Sequence, residues 1–220
     1  MPDDRAGAGA GRGRAQAGGG REARGRDKQS AGAGQAERGG GKSAAATGTG
    51  LADLIAARVR DIPDYPKPGI VFKDITPLLG DGAALQAVVS ALATGHGPVD
   101  KVVGIEARGF ILAAAAACQL GAGFVPVRKQ GRLPAPTYAQ TYDLEYGTAT
   151  IEVHQDAFAP GERVLIIDDV LATGGTAEAT ASLVRQAGAE IVGLAVILEL
   201  TFLAGRAKLG GQPVRALLAV

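Results

Sequence analysis

Hydrophobic residues follow two periods along the chain after residue 50. Residues 51–62 place apolar side chains three to four positions apart, which predicts a helix, and residues 83–93 repeat that spacing. Short, continuously apolar runs predict strands buried on both faces. These runs lie at residues 101–105, 123–127, 163–167 and 191–198.

Helical segments follow two of these strands. Residues 108–120 and 176–187 have helical character, and Gly188 closes the second segment. Alternation of apolar strands with helices predicts an α/β domain with a mostly parallel sheet that is covered by helices on both faces. The length of residues 51–220 is sufficient for one well-buried core.

The polar stretch at residues 129–153 interrupts this alternation. It contains several glycines, prolines and tyrosines, and only residues 148–153 alternate as one arm of a hairpin would. Long insertions without regular structure are usually functional in compact α/β domains. We therefore predict a lid.

The first 50 residues differ in composition from the rest. Gly and Ala supply 27 of them, and residues 2–50 contain no Val, Ile, Leu, Phe, Tyr or Cys. Such a segment cannot offset the entropy cost of ordering, so we expect a disordered tail at 1–50 before one domain at 51–220. The tail has a net charge of +4 and the remainder −3. A solvated tail, a weak contact with nucleic acid or anionic surfaces, and translation beginning near Leu51 all stay open, the contact being the least favoured.

Further features bear on location and partners. No apolar leader follows Met1, no long apolar run exists, and Cys118 has no second cysteine to bond with. We expect a cytoplasmic protein with no nucleic-acid partner and no membrane association. His96 and His154 lack neighbours at ligand spacing, so no metal site built by the protein is expected.

The sequence VLIIDDVLATGGT at 164–176 carries the strongest chemical signal. An apolar strand delivers Asp168 and Asp169 to the carboxyl edge of the sheet, where ligands bind in parallel α/β folds. The glycines and threonines that follow suit a phosphate cradle at a helix N-terminus. The cradle residues are Ala172, Thr173, Gly174, Gly175 and Thr176. Two carboxylates beside this cradle suit the hydroxyls of a ribose. The alternative is a helix N-terminal cap with a surface acidic pair, but a cap needs only one threonine or aspartate.

The stretch DDVLATGGT at 168–176 resembles the phosphoribosyl-pyrophosphate fingerprint of type I phosphoribosyltransferases. Further segments resemble the adenine-specific branch of that family: DYPKPGIVFKDI at 64–75, GIEARGF at 104–110, and RKQGRL at 128–133 with YDLEYG at 142–147. The resemblance covers residues 51–220 and none of the first 50. It implies a central, mostly parallel sheet flanked by helices, with a flexible lid and a small hood.

The resemblance also implies an activity. The expected reaction transfers phosphoribosyl from phosphoribosyl pyrophosphate to adenine, giving AMP and pyrophosphate, with Mg²⁺ bound through the substrate and with a homodimer as the assembly. One alternative is a phosphoribosyltransferase for another purine base, which the segment around Phe72 and residues 144–147 disfavour. Another is a non-catalytic regulator that senses purine nucleotides and binds DNA, but residues 1–50 cannot form its DNA-binding module.

Roles for the pyrophosphate side follow from the resemblance. Glu106, Ala107 and Arg108 form a second loop at a strand end, in which the Glu106–Ala107 peptide can be cis. Arg128, Lys129 and Arg132 form a basic cluster near the lid, and Arg128 is a candidate to serve the neighbouring subunit. Taken alone, Arg108 would be interpreted as a surface residue at the start of a helix, and the basic cluster as a solvated run of charges.

Roles for the base side come from the same resemblance. Val71, Phe72, Lys73 and Val170 are expected to form the adenine pocket, with Phe72 stacking on the purine. Glu145 in the lid matches an acid that passes a proton to or from adenine, and an exposed loop glutamate is the alternative. Together with Arg108, Asp168 and Asp169, Glu145 completes the predicted catalytic set.

Overall fold

The computed structural model describes residues 48–143 and 147–220. Most of the predicted tail, residues 1–47, lies outside these residues, and so does Glu145. Residues 48–50 belong to the first helix, α1 (Gly48–Ala56), rather than to the tail. Ile55 of this helix is fully buried, so α1 is part of the folded domain.

A mixed sheet of seven strands forms the centre of the described chain, in the order β5-β6-β4-β3-β7-β8-β9. Five neighbouring strands are parallel: β4, β3, β7, β8 and β9. The apolar runs predict the first four of these, and the edge strand β9 adds a fifth. Their bounds are β3 Lys101–Ile105, β4 Gly123–Lys129, β7 Arg163–Leu171, β8 Glu190–Glu199 and β9 Val214–Ala219.

The predicted lid is an antiparallel hairpin at one edge of this sheet. It consists of β5 (Thr137–Asp143) and β6 (Thr148–His154), and β6 continues the sheet beside β4. Residues 148–153 were predicted to be one arm; the other arm is β5, whose polar sequence hid its strand character.

Helices cover both faces of the sheet. α3 (Gly82–Ala93) and α4 (Arg108–Leu120) pack with α1 on one face, whereas α5 (Gly175–Gln186) lies on the other. Successive strand residues contribute to the two opposite cores, as Val102 and Val103 do, which explains why the strands are apolar throughout. Within the described ranges, no helix has the length and apolar character needed to span a membrane.

The single helix predicted at 51–62 is wrong in its second half. α1 ends at Ala56, and β1 (Arg60–Ile62) pairs antiparallel with β2 (Phe72–Asp74) in a separate small sheet. Arg60 forms an ion pair with Asp74 at 2.6 Å and Lys73 one with Asp61 at 2.7 Å. These cross-strand pairs involve residues distant in sequence, which local periodicity does not register.

Besides β1, β2 and β5, four further elements were not predicted from the sequence. They are the short helix α2 (Thr76–Gly80), strand β9 at the sheet edge, and the two 3-10 turns Thr201–Leu203 and Gly205–Leu209. In addition, β7 continues four residues beyond the predicted end at 167, to Leu171. Asp168 and Asp169 therefore lie within the strand and not after it.

Candidate active site

A cleft opens where the connections of two neighbouring parallel strands diverge. The chain leaves β3 towards β4 on one side and leaves β7 towards β8 on the other. The carboxyl ends of β3 and β7 consequently border a crevice, the usual ligand site of open α/β sheets. The cleft has a volume of about 460 Å³, and residues of β2, β3, β7 and the lid hairpin line it.

The two carboxylates lie on the floor of this cleft. Asp169 is buried, with 4% of its surface exposed, and Asp168 is partly buried. The backbone N–H of Asp169 donates to Oδ1 of Asp168 at 2.9 Å. Burial raises the pKa of Asp168 well above its ordinary value, and the charge of Asp169 raises it further. Burial also raises the pKa of Asp169, against the opposing effect of the Arg108 charge.

Arg108 connects the carboxylates to the base side of the cleft. It is the first residue of α4, and its Nη2 lies 2.8 Å from Oδ2 of Asp169. Its Nη1 donates to the carbonyl oxygen of Lys73 at 3.1 Å, and its guanidinium carbon lies 4.8 Å from the centroid of the Phe72 ring. One guanidinium thus holds β2, β7 and the start of α4 in a fixed relation.

The predicted phosphate cradle spans the end of β7 and the first turn of α5. Gly174 has φ +80°, a conformation that favours glycine. A Cβ atom at Gly174 would overlap the carbonyl oxygen of Gly205, and one at Gly205 would overlap that of Ala172. The loop backbone therefore packs directly against the 3-10 turn that begins at Gly205.

The predicted base-pocket residues also line the cleft. Val71, Phe72, Lys73 and Val170 all contribute to its surface. The Lys73 ammonium pairs with Asp61 on β1, so Lys73 has its side chain bound within the small sheet. The Arg108 guanidinium covers one face of the Phe72 ring. The Tyr65 ring contacts Phe72 edge-on, with 5.2 Å between the ring centroids.

The second loop contains the cis peptide Glu106–Ala107. Oε2 of Glu106 accepts a hydrogen bond from the backbone N–H of Lys129 at 2.9 Å, and this bond lowers the pKa of Glu106. Glu106 thereby fixes the end of β4 beside the cleft. Its carboxylate is held by protein groups, and its backbone N–H donates to the carbonyl oxygen of Val127 at 3.0 Å.

The basic cluster divides between two surfaces. Lys129 lines the cleft, whereas Arg128 and Arg132 do not. Nη1 of Arg128 donates to the carbonyl of Arg132 at 3.0 Å, and its Nε lies 3.5 Å from Glu106. The predicted cluster therefore does not converge on the cleft of its own chain.

The cleft brings together most of the predicted residues. Beyond the residues already placed, Ala107, Ala172 and Thr176 line it, while Thr173, Gly174 and Gly175 line a small adjoining cavity. Sequence reasoning missed Tyr142, Ile70, Leu200 and Leu203 as lining residues. Leu200 directly follows the apolar strand β8, and this position in the sequence could have indicated that it lines the cleft.

Comparison with known proteins supports the interpretation of this geometry. Residues 78–209 match the family model for the phosphoribosyl transferase domain. The adenine phosphoribosyltransferase of Acidothermus cellulolyticus is 63% identical over 172 residues, which cover 77% of this chain and 97% of that protein. The chain belongs to the adenine phosphoribosyltransferase family. The prediction from the sequence is confirmed at this level.

Solved structures of adenine phosphoribosyltransferases have the same fold. The enzyme of Rhodothermus marinus superposes with a TM-score of 0.74 at 53% identity, covering 77% of this chain and 98% of that one. The Saccharomyces cerevisiae enzyme, solved with an imino-altritol bisphosphate and adenine, gives a TM-score of 0.71 at 36% identity and covers 77% and 99%. The predicted type I phosphoribosyltransferase fold is therefore confirmed.

The donor chemistry of the cleft suits a magnesium ion that binds together with a substrate. Carboxylate oxygens are available from Asp168 and Asp169. Across the described ranges, no group of three or more His, Cys, Asp or Glu side chains is arranged to hold a metal ion. Mg²⁺ commonly binds through one or two carboxylates plus substrate phosphates, and this cleft fits that mode.

Proposed function

We propose that this protein transfers the phosphoribosyl group of phosphoribosyl pyrophosphate to adenine, giving AMP and pyrophosphate in purine salvage. One observation carries the proposal. The carboxylates of Asp168 and Asp169 lie in a single cleft between a phosphate cradle, a loop with Arg108, and an apolar pocket with Phe72. Each part fits one portion of the two substrates.

The substrate would lie across this cleft with its phosphates at opposite ends. Its 5′-phosphate fits the cradle, whose backbone N–H groups and threonine hydroxyls are donors. Its ribose hydroxyls fit the carboxylates, and its pyrophosphate fits the loop of Ala107 and Arg108 with Lys129 beside it. Mg²⁺, held by substrate oxygens and by Asp168 or Asp169, would supply positive charge to the leaving pyrophosphate.

The reaction would form a bond between an adenine nitrogen and ribose C1 while the bond from C1 to pyrophosphate breaks. Pyrophosphate leaves with the bonding electron pair, and the attacking nitrogen loses its proton. Positive charge develops on the ribose in the transition state, and the buried carboxylates of Asp168 and Asp169 stabilise it. Glu145, outside the described residues, is the proposed proton acceptor.

Base choice would be set by the backbone of β2. Adenine presents a donor at its exocyclic amine and an acceptor at N1, and hypoxanthine presents the reverse pattern. Backbone groups near Val71 and Lys73 cannot rotate to suit both, and each mismatched buried group costs about 1–3 kcal/mol. We expect kcat/KM for adenine to exceed that for hypoxanthine by at least about three decades. A protein specific for another purine would show the opposite preference.

A single assay tests the proposal. AMP formation is measured from phosphoribosyl pyrophosphate with adenine or hypoxanthine, for the unmodified protein, for Asp169→Asn, and for Asp53→Asn as the matched control. Asp53 is exposed on α1 and is not one of the residues that line the cleft. We expect Asp169→Asn to lower kcat by about 10²–10³-fold and Asp53→Asn to have no effect. Purine-nucleotide binding without AMP formation would favour the regulator instead.

The cellular setting and assembly belong to the same proposal. We propose a homodimer in the cytoplasm, in which Arg128 serves the neighbouring subunit. The absence of Arg128 from the cleft of its own chain supports this arrangement.

A further inference from the structure

Tyr142 connects the lid to the phosphate cradle. It is the penultimate residue of β5, and its hydroxyl lies 3.0 Å from the hydroxyl of Thr176 in the cradle. These two residues are 34 positions apart in sequence. Tyr142 is partly buried, packs against the core beneath α5, and lines the cleft. A hydroxyl of the predicted phosphate site is thus bound to a lid residue.

Close packing accompanies this hydrogen bond. A Cβ atom at Gly175 would lie 3.2 Å from the Tyr142 ring and 3.2 Å from the carbonyl oxygen of Asp143. The glycine therefore permits the end of β5 to lie against the first turn of α5. The lid is seated on the cradle by both the ring and the hydroxyl of Tyr142.

Hydroxyl chemistry determines what happens when a phosphate enters the cradle. A threonine hydroxyl has one proton to donate and two lone pairs that accept. In the structure the Thr176 hydroxyl donates to the Tyr142 hydroxyl. When the Thr176 hydroxyl donates to a phosphate oxygen instead, the Tyr142 hydroxyl can turn and donate its own proton to Thr176. The result is a chain from Tyr142 through Thr176 to the phosphate, and such chains strengthen each member.

We propose that Tyr142 is a positioning residue that orients the Thr176 hydroxyl for the 5′-phosphate. This inference rests on the proposed function, since the phosphate belongs to the proposed substrate. Tyr142 acts through Thr176, whose hydroxyl lies 3.0 Å from its own. It thereby turns that hydroxyl towards a phosphate that enters the cradle.

Steady-state kinetics and product inhibition test the inference. Tyr142→Phe retains the ring and removes the hydroxyl. We expect KM for phosphoribosyl pyrophosphate and Ki for ribose 5-phosphate to rise about 3- to 10-fold, the effect of one lost hydrogen bond. KM for adenine and Ki for pyrophosphate should not change. A general loss of lid structure would raise all four constants, which would overturn the inference.

A matched variant and a double variant complete the experiment. Tyr138→Phe is the control, because Tyr138 lies on the same strand and packs on the same core, and its hydroxyl makes no hydrogen bond to the described part of the chain. In a Thr176→Ala background, Tyr142→Phe should raise Ki for ribose 5-phosphate no further. Equal effects in both backgrounds, or unchanged constants for Tyr142→Phe, would overturn the role of Tyr142. AMP formation by Tyr142→Phe would still show that the proposed function stands.

Discussion

At the scale of single residues, Asp168 and Asp169 are placed at a cost to folding. Both carboxyl groups lose water on burial, and their pKa values are raised for that reason. The folded protein therefore holds these protons more tightly than the unfolded chain does. The burial of these two acids does not stabilise the fold, and we attribute their position to the proposed binding of ribose.

This leads to a prediction on stability against pH. An acid with a raised folded pKa costs nothing below the unfolded value of 3.8, and its cost grows as pH rises from that value towards the folded pKa. Asp168→Asn keeps the oxygen that accepts from the Asp169 N–H and removes the ionisation. At neutral pH without ligand, we expect its melting temperature to exceed the unmodified protein's by about 2–4 °C.

Thermal melts across pH check this prediction. The difference in melting temperature should vanish as pH falls below 3.8, the unfolded value. Asp53→Asn, at an exposed site, should show no such pH-dependent gain. A lower melting temperature for Asp168→Asn at neutral pH would contradict the assigned cost of burial.

At the scale of elements, the phosphate cradle is supported from behind by the turn after β8. Glu199 at the end of β8 is buried and forms an ion pair with Arg206, and Nη1 of Arg206 donates to the carbonyl of Val214 on β9. These bonds hold Gly205 against the loop backbone at Gly174. The position of the cradle therefore depends on β8 and on the edge strand β9, neither of which contains a cradle residue.

Substitution of the supporting glycine should affect substrate binding at a distance. In Gly205→Ala the new methyl group would overlap the carbonyl oxygen of Ala172, so the cradle must move. We expect KM for phosphoribosyl pyrophosphate to rise at least about tenfold, because displacing a binding loop even slightly impairs positioning. Gly82→Ala is the control, since its Cβ meets no atom within 4 Å. Equal kinetics for the two variants would show that the cradle is not supported in this way.

At the scale of the whole molecule, the domain is predicted to fold and to act without the segment that precedes it. Relatives such as the Acidothermus cellulolyticus protein match 77% of this chain while covering 97% of their own length. Since residues 1–47 lack apolar side chains to bury, apart from alanines and Met1, we expect their removal to leave melting temperature and kcat unchanged. The removal ends before α1, whose Ile55 is buried. A clear fall in melting temperature would contradict the composition argument.

The proposed assembly gives a second prediction at this scale. If Arg128 acts across a dimer interface, a mixed dimer of Arg128→Ala and Asp169→Asn subunits has one site with both residues intact. Co-expression of equal amounts should therefore restore about a quarter of the unmodified activity, since half of the dimers are mixed. Activity no greater than that of the separate variants would show that Arg128 acts within its own chain.

The sequence by itself was sufficient for the strands β3, β4, β7 and β8, for the helices α3, α4 and α5, and for the chemistry that lies within one segment. The helix Arg108–Leu120 and the strand Lys101–Ile105 follow from local apolar periodicity, which burial imposes on consecutive residues. The carboxylates and the cradle are covalently adjacent, so their proximity needed no fold. For the same reason the family resemblance could be stated from short motifs alone.

Only the tertiary structure decided how these segments meet. The bonds from Arg108 to Lys73 and from Thr176 to Tyr142 join residues 35 and 34 positions apart, and the contact between Gly174 and Gly205 joins two loops. The second half of the predicted first helix contains β1 instead, because these residues pair with β2, which lies beyond a turn. Local periodicity shows which residues of one segment are buried. Which segments pack against one another depends on the packing of the whole chain, and that packing exists only in the fold.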